Sequence, residues 1–186
     1  MIGLQRGTVK LVPYSSEWKS LFAEEERVLR ASIGTYVMDI QHVGSMAIPG
    51  LEAKPIIDIA VAVRQLEDVE KCIKPLECLG YEYKADEGHP GRFFFAKGDP
   101  SSRTHYVHVV EWNSDSWKNL LRFRDYLRQH KEAAKEYARL KRELARKSRG
   151  NRDLYTPGKA EFIESVLRMA GGVSGRSEHS KESDKR

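Results

Sequence analysis

Apolar residues recur along the chain with two spacings, and each spacing predicts a kind of secondary structure. A helical spacing runs from Trp18 to about Ile33, after Ser15 or Ser16, either of which can cap the helix. A second helical spacing covers 67–79, where Pro75 can kink or shorten the helix. Continuous or alternating apolar runs predict strands at 9–14, 36–43, 56–63, 81–84, 92–97 and 104–111.

Beyond residue 115 the pattern is helical. It predicts helices at 116–130, 131–147 and 157–170, the last with Thr156 as its cap and Pro157 at its first position. The residues after Gly171 include one Val and no aromatic residue, which is typical of a flexible polar tail at 171–186. We therefore expect one α+β domain over 1–170, with a mixed or antiparallel sheet, flanking helices and a C-terminal helical segment.

Composition narrows the class of protein. The 186 residues are 40% hydrophobic and 32% charged, which excludes a disordered or fibrous chain. No apolar run approaches the ~18 residues of a membrane-spanning helix. The N-terminal residues lack the apolar stretch of a signal peptide, and Cys72 and Cys78 are expected to be reduced thiols. These features predict a cytoplasmic protein with no membrane partner.

The positive charge is concentrated in one segment. The net charge is +5, and residues 118–149 alone hold twelve Lys or Arg against four acids. An anionic partner should therefore meet this part of the protein. The segment lacks the interleaved exposed aromatic residues that stack on bases, which disfavours nucleic acid as that partner.

One acid interrupts the most strand-like run of the sequence. Strand alternation places Ile57, Ile59, Val61 and Val63 on one face, and Asp58 with Ile56, Ala60 and Ala62 on the other. A buried carboxylate is costly unless it is paired, and its small neighbours leave room above it for a ligand or metal. The alternative is that Asp58 pairs with Lys54 or an Arg in a structural salt bridge. Motifs of the types GxxxxGK(S/T), GxGxxG, HExxH and GxSxG are absent.

The strand ending in Gly44-Ser45, the Gly/Pro loop and the Asp58 strand together resemble the nucleotidyltransferase superfamily. More narrowly, a set of segments between residues 8 and 170 resembles the GrpB-like family. These segments are HVGS (42–45), PGL (49–51), KPIIDI (54–59), RFFF (92–95), THYVHV (104–109), FRDYLR (123–128), YARLK (137–141) and YTPGK (155–159). The resemblance implies a nucleotidyltransferase-like α+β fold. Some members of the family are fused to dephospho-coenzyme A kinase.

Carried onto this chain, the resemblance implies that Gly44 and Ser45 contact phosphate and that Asp58 binds a divalent metal. The superfamily places a second acid two positions after the first, but Ala60 occupies that position here. Two-metal phosphoryl transfer needs carboxylates that bridge ions ~3.5–4 Å apart, which one Asp cannot supply. Either a carboxylate comes from another strand, or the chemistry uses one metal, or no transfer occurs.

The strand at 104–111 offers replacements for the missing acid. Glu111 at its end is the expected second carboxylate, and His108 or His42 could add an imidazole to a mixed metal site. Alternation puts His105 and His108 on opposite faces, so they cannot both be ligands. The basic residues expected to neutralise phosphate are Lys54, Arg92, Lys141 and Lys159.

These residues predict a transfer reaction as the leading function. A Mg- or Mn-dependent nucleotidyltransferase would take a nucleoside triphosphate and an unknown acceptor. The alternative is a non-catalytic protein that binds a nucleotide or another phosphorylated small molecule, or an accessory module to dephospho-coenzyme A kinase. Ala60 favours binding over transfer, whereas Asp58 and the Gly-Ser turn favour the presence of a ligand.

Overall fold

The computed structural model describes residues 2–85 and 90–171. Apart from Gly171, the predicted polar tail therefore lies outside the described residues. No helix in the described ranges is long and apolar enough to cross a membrane. Both cysteines are free thiols, as expected, with Cys72 buried and Cys78 exposed.

The described residues form a five-stranded mixed sheet in the order β1-β2-β5-β4-β3. β2 and β5 pair in parallel, whereas the other neighbouring strands are antiparallel. This confirms the predicted mixed sheet. The strands are β1 (Val37–Val43), β2 (Ile57–Val63), β3 (Tyr81–Tyr83), β4 (Arg92–Lys97) and β5 (His105–Glu111).

The helices lie close to their predicted positions. Pro75 is accommodated inside α2, and a short helix that the sequence pattern did not predict, α5, follows α4. The C-terminal helix begins with a 3₁₀ turn at Pro157–Lys159, and the Thr156 side chain makes no capping hydrogen bond. The helices are α1 (Glu17–Ile33), α2 (Val69–Cys78), α3 (Asp115–Gln129), α4 (Lys131–Lys147), α5 (Arg152–Tyr155) and α6 (Ala160–Met169).

β2 is buried on both faces because it lies inside the sheet with helices on either side. The side chains of Ile57, Ile59, Val61 and Val63 join α1 and α2 in the larger core. Ala60 and Ala62 lie on the other face, packed with Trp117 of α3. The predicted alternation is therefore confirmed, and the face that carries Asp58 is the one beneath α3.

A small buried polar cluster lies on the opposite face, under α1. The carboxylate of Glu25 accepts hydrogen bonds from the Tyr81 hydroxyl at 2.8 Å and from Lys97 Nζ at 2.8 Å. His105 Nε2 is 3.9 Å from the same carboxylate. His105 is thus on the face away from His108, as alternation predicts.

The prediction of a strand at 9–14 is wrong. Instead of a ladder, the N-terminal segment forms three isolated bridges with different partners, pairing Leu4 with Arg103, Thr8 with Asn151 and Val12 with Ala53. Pro13 has no N–H to donate, so the pairing at Val12 cannot continue as a regular strand. The segment connects three distant parts of the chain.

The packing of the core can be tested by replacing a buried and an exposed leucine with alanine. Leu29 is completely buried, whereas Leu154 is 65% exposed. Leu29→Ala should lower the free energy of unfolding by about 2–5 kcal/mol because it leaves a cavity. Leu154→Ala should change it by less than about 0.5 kcal/mol. Urea denaturation of both variants measures the difference, and equal losses would show that α1 does not pack as described.

Candidate functional site

The turn after β1 brings the Gly-Ser pair against Asp58. Gly44 has φ of 69°, a conformation that side chains disfavour. A Cβ at this position would lie only 2.5 Å from Asp58 Oδ2. Position 44 therefore requires glycine for two reasons, its backbone conformation and the lack of space beside the Asp58 carboxylate. A 3₁₀ turn, Ser45–Ala47, follows directly and places Ser45 beside Asp58 in the wall of one cavity.

Two arginines of α3 hold this turn in place. Arg124 donates to the carbonyl oxygen of His42 at 3.0 Å and to Gln41 Oε1 at 2.8 Å. Arg128 donates twice to the carbonyl oxygen of Ala47, at 2.9 and 2.7 Å. Hydrogen bonds from charged donors are among the stronger ones in proteins. The position of Ser45 is thus fixed from both sides along the chain.

A cavity of about 520 Å³ lies between the Asp58 face of the sheet and the C-terminal helices. Asp58 is the one carboxylate among the described residues that line it. Five basic side chains surround it, with His108 beside them. They are Lys54, Arg92, Lys141, Arg152 and Lys159.

Asp58 keeps 31% of its side chain exposed, and His108 Nε2 is 3.8 Å from its Oδ1. Burial acts to raise the pKa of Asp58, but the neighbouring His108 and the charges of Lys54 and Lys159 outweigh it. The pKa is therefore lowered, and Asp58 is an anion at neutral pH. One negative charge nevertheless balances only part of the surrounding positive charge.

Lys141 is the most deeply buried of these cations, with 2% of its surface exposed. Its Nζ donates to Ser45 Oγ at 3.1 Å and to the carbonyl oxygen of Glu52, and it lies 4.9 Å from the Tyr137 ring centroid. Burial lowers its pKa to about 7, against the opposing charge of Glu52. Lys141 is therefore only partly protonated at neutral pH.

The pKa values of Lys159 and Lys54 are lowered as well. Burial, together with the charge of Lys54, lowers the pKa of Lys159 to about 8. Its Nζ lies 4.6 Å from the centre of the Tyr155 ring. Burial likewise lowers the pKa of Lys54, although Asp58 opposes this shift. All three lysines would gain from a nearby anion, because an opposite charge favours their charged form.

Another part of the cavity wall is apolar. Met46 from the turn, Leu120 and Phe123 from α3, and Ile163 and Leu167 from α6 line this part. A ligand that fills the whole cavity therefore needs an anionic group and an organic body.

The structure brings eight of the ten sequence-predicted site residues to this cavity and leaves out two. His42 is opposite Ile59 in the sheet and stacks on Phe22, with the ring centroids 4.8 Å apart, so it belongs to the other face. Glu111 is exposed, pairs with Val63, and shares the face of Val109. It lies five residues along β5 from Tyr106, the partner of Asp58. At ~3.3 Å per residue this is too far for a shared metal ion.

The proposed four-ligand metal set is therefore not assembled. Of Asp58, Glu111, His108 and His42, only Asp58 and His108 lie together. Within residues 2–85 and 90–171 no group of three or more His, Cys, Asp or Glu side chains could hold a metal ion. The expectation that Glu111 and His42 complete the site is wrong for a geometric reason, since strand parity points both side chains away.

Several residues of the cavity were not predicted as site residues. Arg152 reaches it from α5, with its guanidinium carbon 5.7 Å from the Tyr106 ring centroid. Tyr137 was predicted only as a buried residue, but it lines the cavity with its ring centroid 4.9 Å from Lys141 Nζ. The motif YTPGK contains Tyr155 as well as Lys159, which was the available signal for the tyrosine. Arg152 lies outside any periodic pattern, so the sequence held no signal for it.

The fold and site define an α+β domain with a strongly basic, ligand-sized cavity. The family model described as GrpB protein matches residues 8–169, and the chain belongs to this family. The Glutamate-rich protein GrpB of Alkalihalophilus pseudofirmus is 42% identical over 171 residues, which cover 90% of this chain and 98% of that protein. The structure of the conserved protein GrpB from Enterococcus faecalis has 34% identity and a TM-score of 0.79, over 87% of this chain and 96% of that one.

Relatives also occur within longer proteins. The UPF0157 protein YqkA of Bacillus subtilis is 39% identical over 158 residues, which cover 85% of this chain and 46% of that protein. A protein named dephospho-CoA kinase from Mycolicibacterium paratuberculosis is 27% identical over 90% of this chain and 47% of its own length. The chain thus spans about half the length of these two relatives.

The contact between Gly44 and Asp58 can be tested against a second glycine. Gly50 has a similar φ of 78°, but a Cβ there would meet nothing within 4 Å. Gly50→Ala should lower the free energy of unfolding by about 1–2 kcal/mol through backbone strain alone. Gly44→Ala should lower it clearly more, because its Cβ must also displace the Asp58 carboxylate. Denaturant titration compares the two, and equal losses would contradict the described packing.

Proposed function

We propose that this protein binds a phosphorylated small molecule, such as a nucleoside triphosphate, in the cavity beside Asp58. The observation that supports this most strongly is the charge of the cavity wall, with five basic side chains around one carboxylate. Phosphate groups carry multiple negative charges and several acceptor oxygens, which match such a set of donors. The ligand supplies the negative charge that the cavity wall lacks.

The lowered pKa values of the lysines also support an anionic ligand, independently of how many lysines line the cavity. Lys141 and Lys159 have lowered pKa values because they are buried close to other cations. Buried charges that lack a partner destabilise a protein. Arg92 adds to this picture, since its buried Nε has no hydrogen-bond partner among the described residues. A bound polyphosphate would relieve these unfavourable interactions together.

Metal-dependent nucleotidyl transfer is the second candidate. Asp58 is partly exposed to the cavity and lies against the Gly-Ser turn, as the family resemblance implies for a metal ligand. The described residues alone do not offer enough oxygen ligands for Mg²⁺ or Mn²⁺. A single ion held jointly by Asp58 and phosphate oxygens fits the usual coordination of Mg²⁺, with one or two carboxylates. Such an ion would neutralise phosphate charge when bound.

Phosphate binding predicts a dependence on Lys159 and on pH. At a concentration of ATP ~100 times its dissociation constant, the wild type should gain about 2.7 kcal/mol of stability. Lys159→Met should weaken ATP binding about tenfold, which corresponds to ~1.4 kcal/mol. Lys131→Met, on the exposed surface of α4, should leave it unchanged. Thermal shift and calorimetry provide the measurements.

The pH dependence follows from the same lysine. Because the lowered pKa of Lys159 rises when an anion binds, binding should be accompanied by proton uptake. ATP should therefore bind more weakly as pH rises from about 7 to about 9. If ATP and inorganic tripolyphosphate gave no thermal shift anywhere in this range, with or without Mg²⁺ or Mn²⁺, the proposed function would be wrong.

Asp58→Asn distinguishes the two candidates. If the basic side chains alone bind the phosphates, removing the carboxylate removes repulsion, and metal-free ATP should bind at least as tightly as to the wild type. If Asp58 holds a metal, the variant should lose the part of the thermal shift that depends on Mg²⁺ or Mn²⁺. We expect the first result. Loss of the thermal shift, with the fold intact by circular dichroism, would favour the metal-dependent candidate.

A further inference from the structure

Ser45 and Lys141 form a contact that phosphate binding alone does not require. Lys141 Nζ is 3.1 Å from Ser45 Oγ. The side chain of Ser45 is partly exposed and lines the cavity, whereas Lys141 is almost completely buried behind it. Lys141 is part of the cavity wall, and its amine is directed at the Ser45 hydroxyl.

The surroundings of Lys141 fix the amine in this position. The carbonyl oxygen of Glu52 accepts one Nζ hydrogen, and the Tyr137 ring packs against the amine. The carboxylate of Glu52 is occupied elsewhere, since Arg142 forms a salt bridge with it. A serine within hydrogen-bond reach of a base that a third group orients is the geometry of an activated nucleophile.

We propose that Ser45 is a nucleophile and that Lys141 is its general base, so that the site forms a covalent phosphoryl- or nucleotidyl-serine. This proposal rests on the proposed function for its substrate class, a phosphoanhydride or phosphate ester bound in the cavity. Serine–lysine pairs are an established variant of nucleophilic catalysis in unrelated folds.

The step balances with the groups present and that substrate. Ser45 Oγ forms a bond to a phosphorus atom of the ligand, and the bond from that phosphorus to its leaving oxygen breaks. The leaving oxygen keeps the electron pair. The hydroxyl proton moves to Lys141 Nζ, which becomes an ammonium group. Lys54 and Lys159, on the same cavity wall, stabilise the negative charge that develops on the leaving group.

The electrostatics of the cavity suit a base that works near neutral pH. Burial lowers the pKa of Lys141 to about 7, and the charges of Lys159, Arg142 and Lys54 act in the same direction, against Glu52. A substantial fraction of Lys141 is therefore neutral at pH 7 and can accept a proton. The buried hydroxyl of Tyr137, whose pKa is raised by burial, stays protonated at neutral pH and does not compete with Lys141 as the base.

A fluorophosphonate reagent tests this proposal without the natural ligand. Such reagents carry an electrophilic phosphorus and react with activated serines, releasing fluoride. We expect a single adduct by intact-mass spectrometry, located on Ser45 by peptide mapping. Its rate of formation should rise with pH through about 7, as Lys141 loses its proton. Ser45→Ala should remove the adduct, whereas Ser101→Ala, at an exposed serine of the loop before β5, should not.

Lys141→Met should slow labelling about a hundredfold or more, because the general base is lost. Labelling of this variant at the wild-type rate would overturn the proposal, as would labelling of wild-type Ser45 no faster than Ser101. If the variant does not fold, as judged by its melting curve, the pH profile of the wild type decides, and a flat profile overturns the proposal.

The reagent has no phosphate charge, so this test does not depend on phosphate binding. If tripolyphosphate and ATP gave no thermal shift while Ser45 was still labelled, the serine–lysine pair would stand and the proposed ligand class would fail. If ATP shifted the melting temperature while Ser45 was not labelled, the proposed function would stand and the covalent step would fail. Protection of Ser45 from labelling by ATP would support both.

Discussion

The burial of β2 on both faces is the constraint on which the site depends. Its interior positions face either the core under α1 and α2 or the packed alanines under α3, and neither environment tolerates a charge. Asp58 is placed near the beginning of the strand, where the Gly44 turn replaces the helix as its cover. The cavity opens at this end of the sheet because the packed layers stop there.

The cavity combines charges that the fold by itself does not balance. A backbone carbonyl and the Tyr137 ring contact the amine of Lys141, and the Tyr155 ring lies against that of Lys159. Such an arrangement lowers the stability of the fold, which is common where proteins bind ligands and fits the binding that we propose. The two arginines of α3 show the opposite design. Each donates to a backbone carbonyl oxygen that needs a hydrogen-bond partner. These arginines therefore stabilise the turn in the absence of any ligand.

Local patterns predicted the strands and helices well, and sequence motifs located Gly44, Ser45 and Lys141. These predictions succeeded because periodicity and turn residues act over short distances. His42 and Glu111 could not be assigned from the sequence, since the face to which each side chain points depends on how the strands pair and on which helices cover them. Arg152 was missed because only tertiary contacts bring α5 to the cavity. The prediction of a strand at 9–14 failed because the N-terminal segment forms isolated bridges, each with a different long-range partner.

Those bridges also bear on the order of folding. The backbone of Val9 donates to Gly150, and Arg152 donates back to Gly7, so this segment closes a loop that spans most of the chain. Contacts of such large sequence separation form slowly, because the intervening chain must first become ordered. During synthesis, residues 7–9 cannot form these hydrogen bonds until residues 150–152 have been made. The sheet can assemble earlier, because its five strands end at Glu111. Arg152 takes its place in the basic wall of the cavity only when this loop closes.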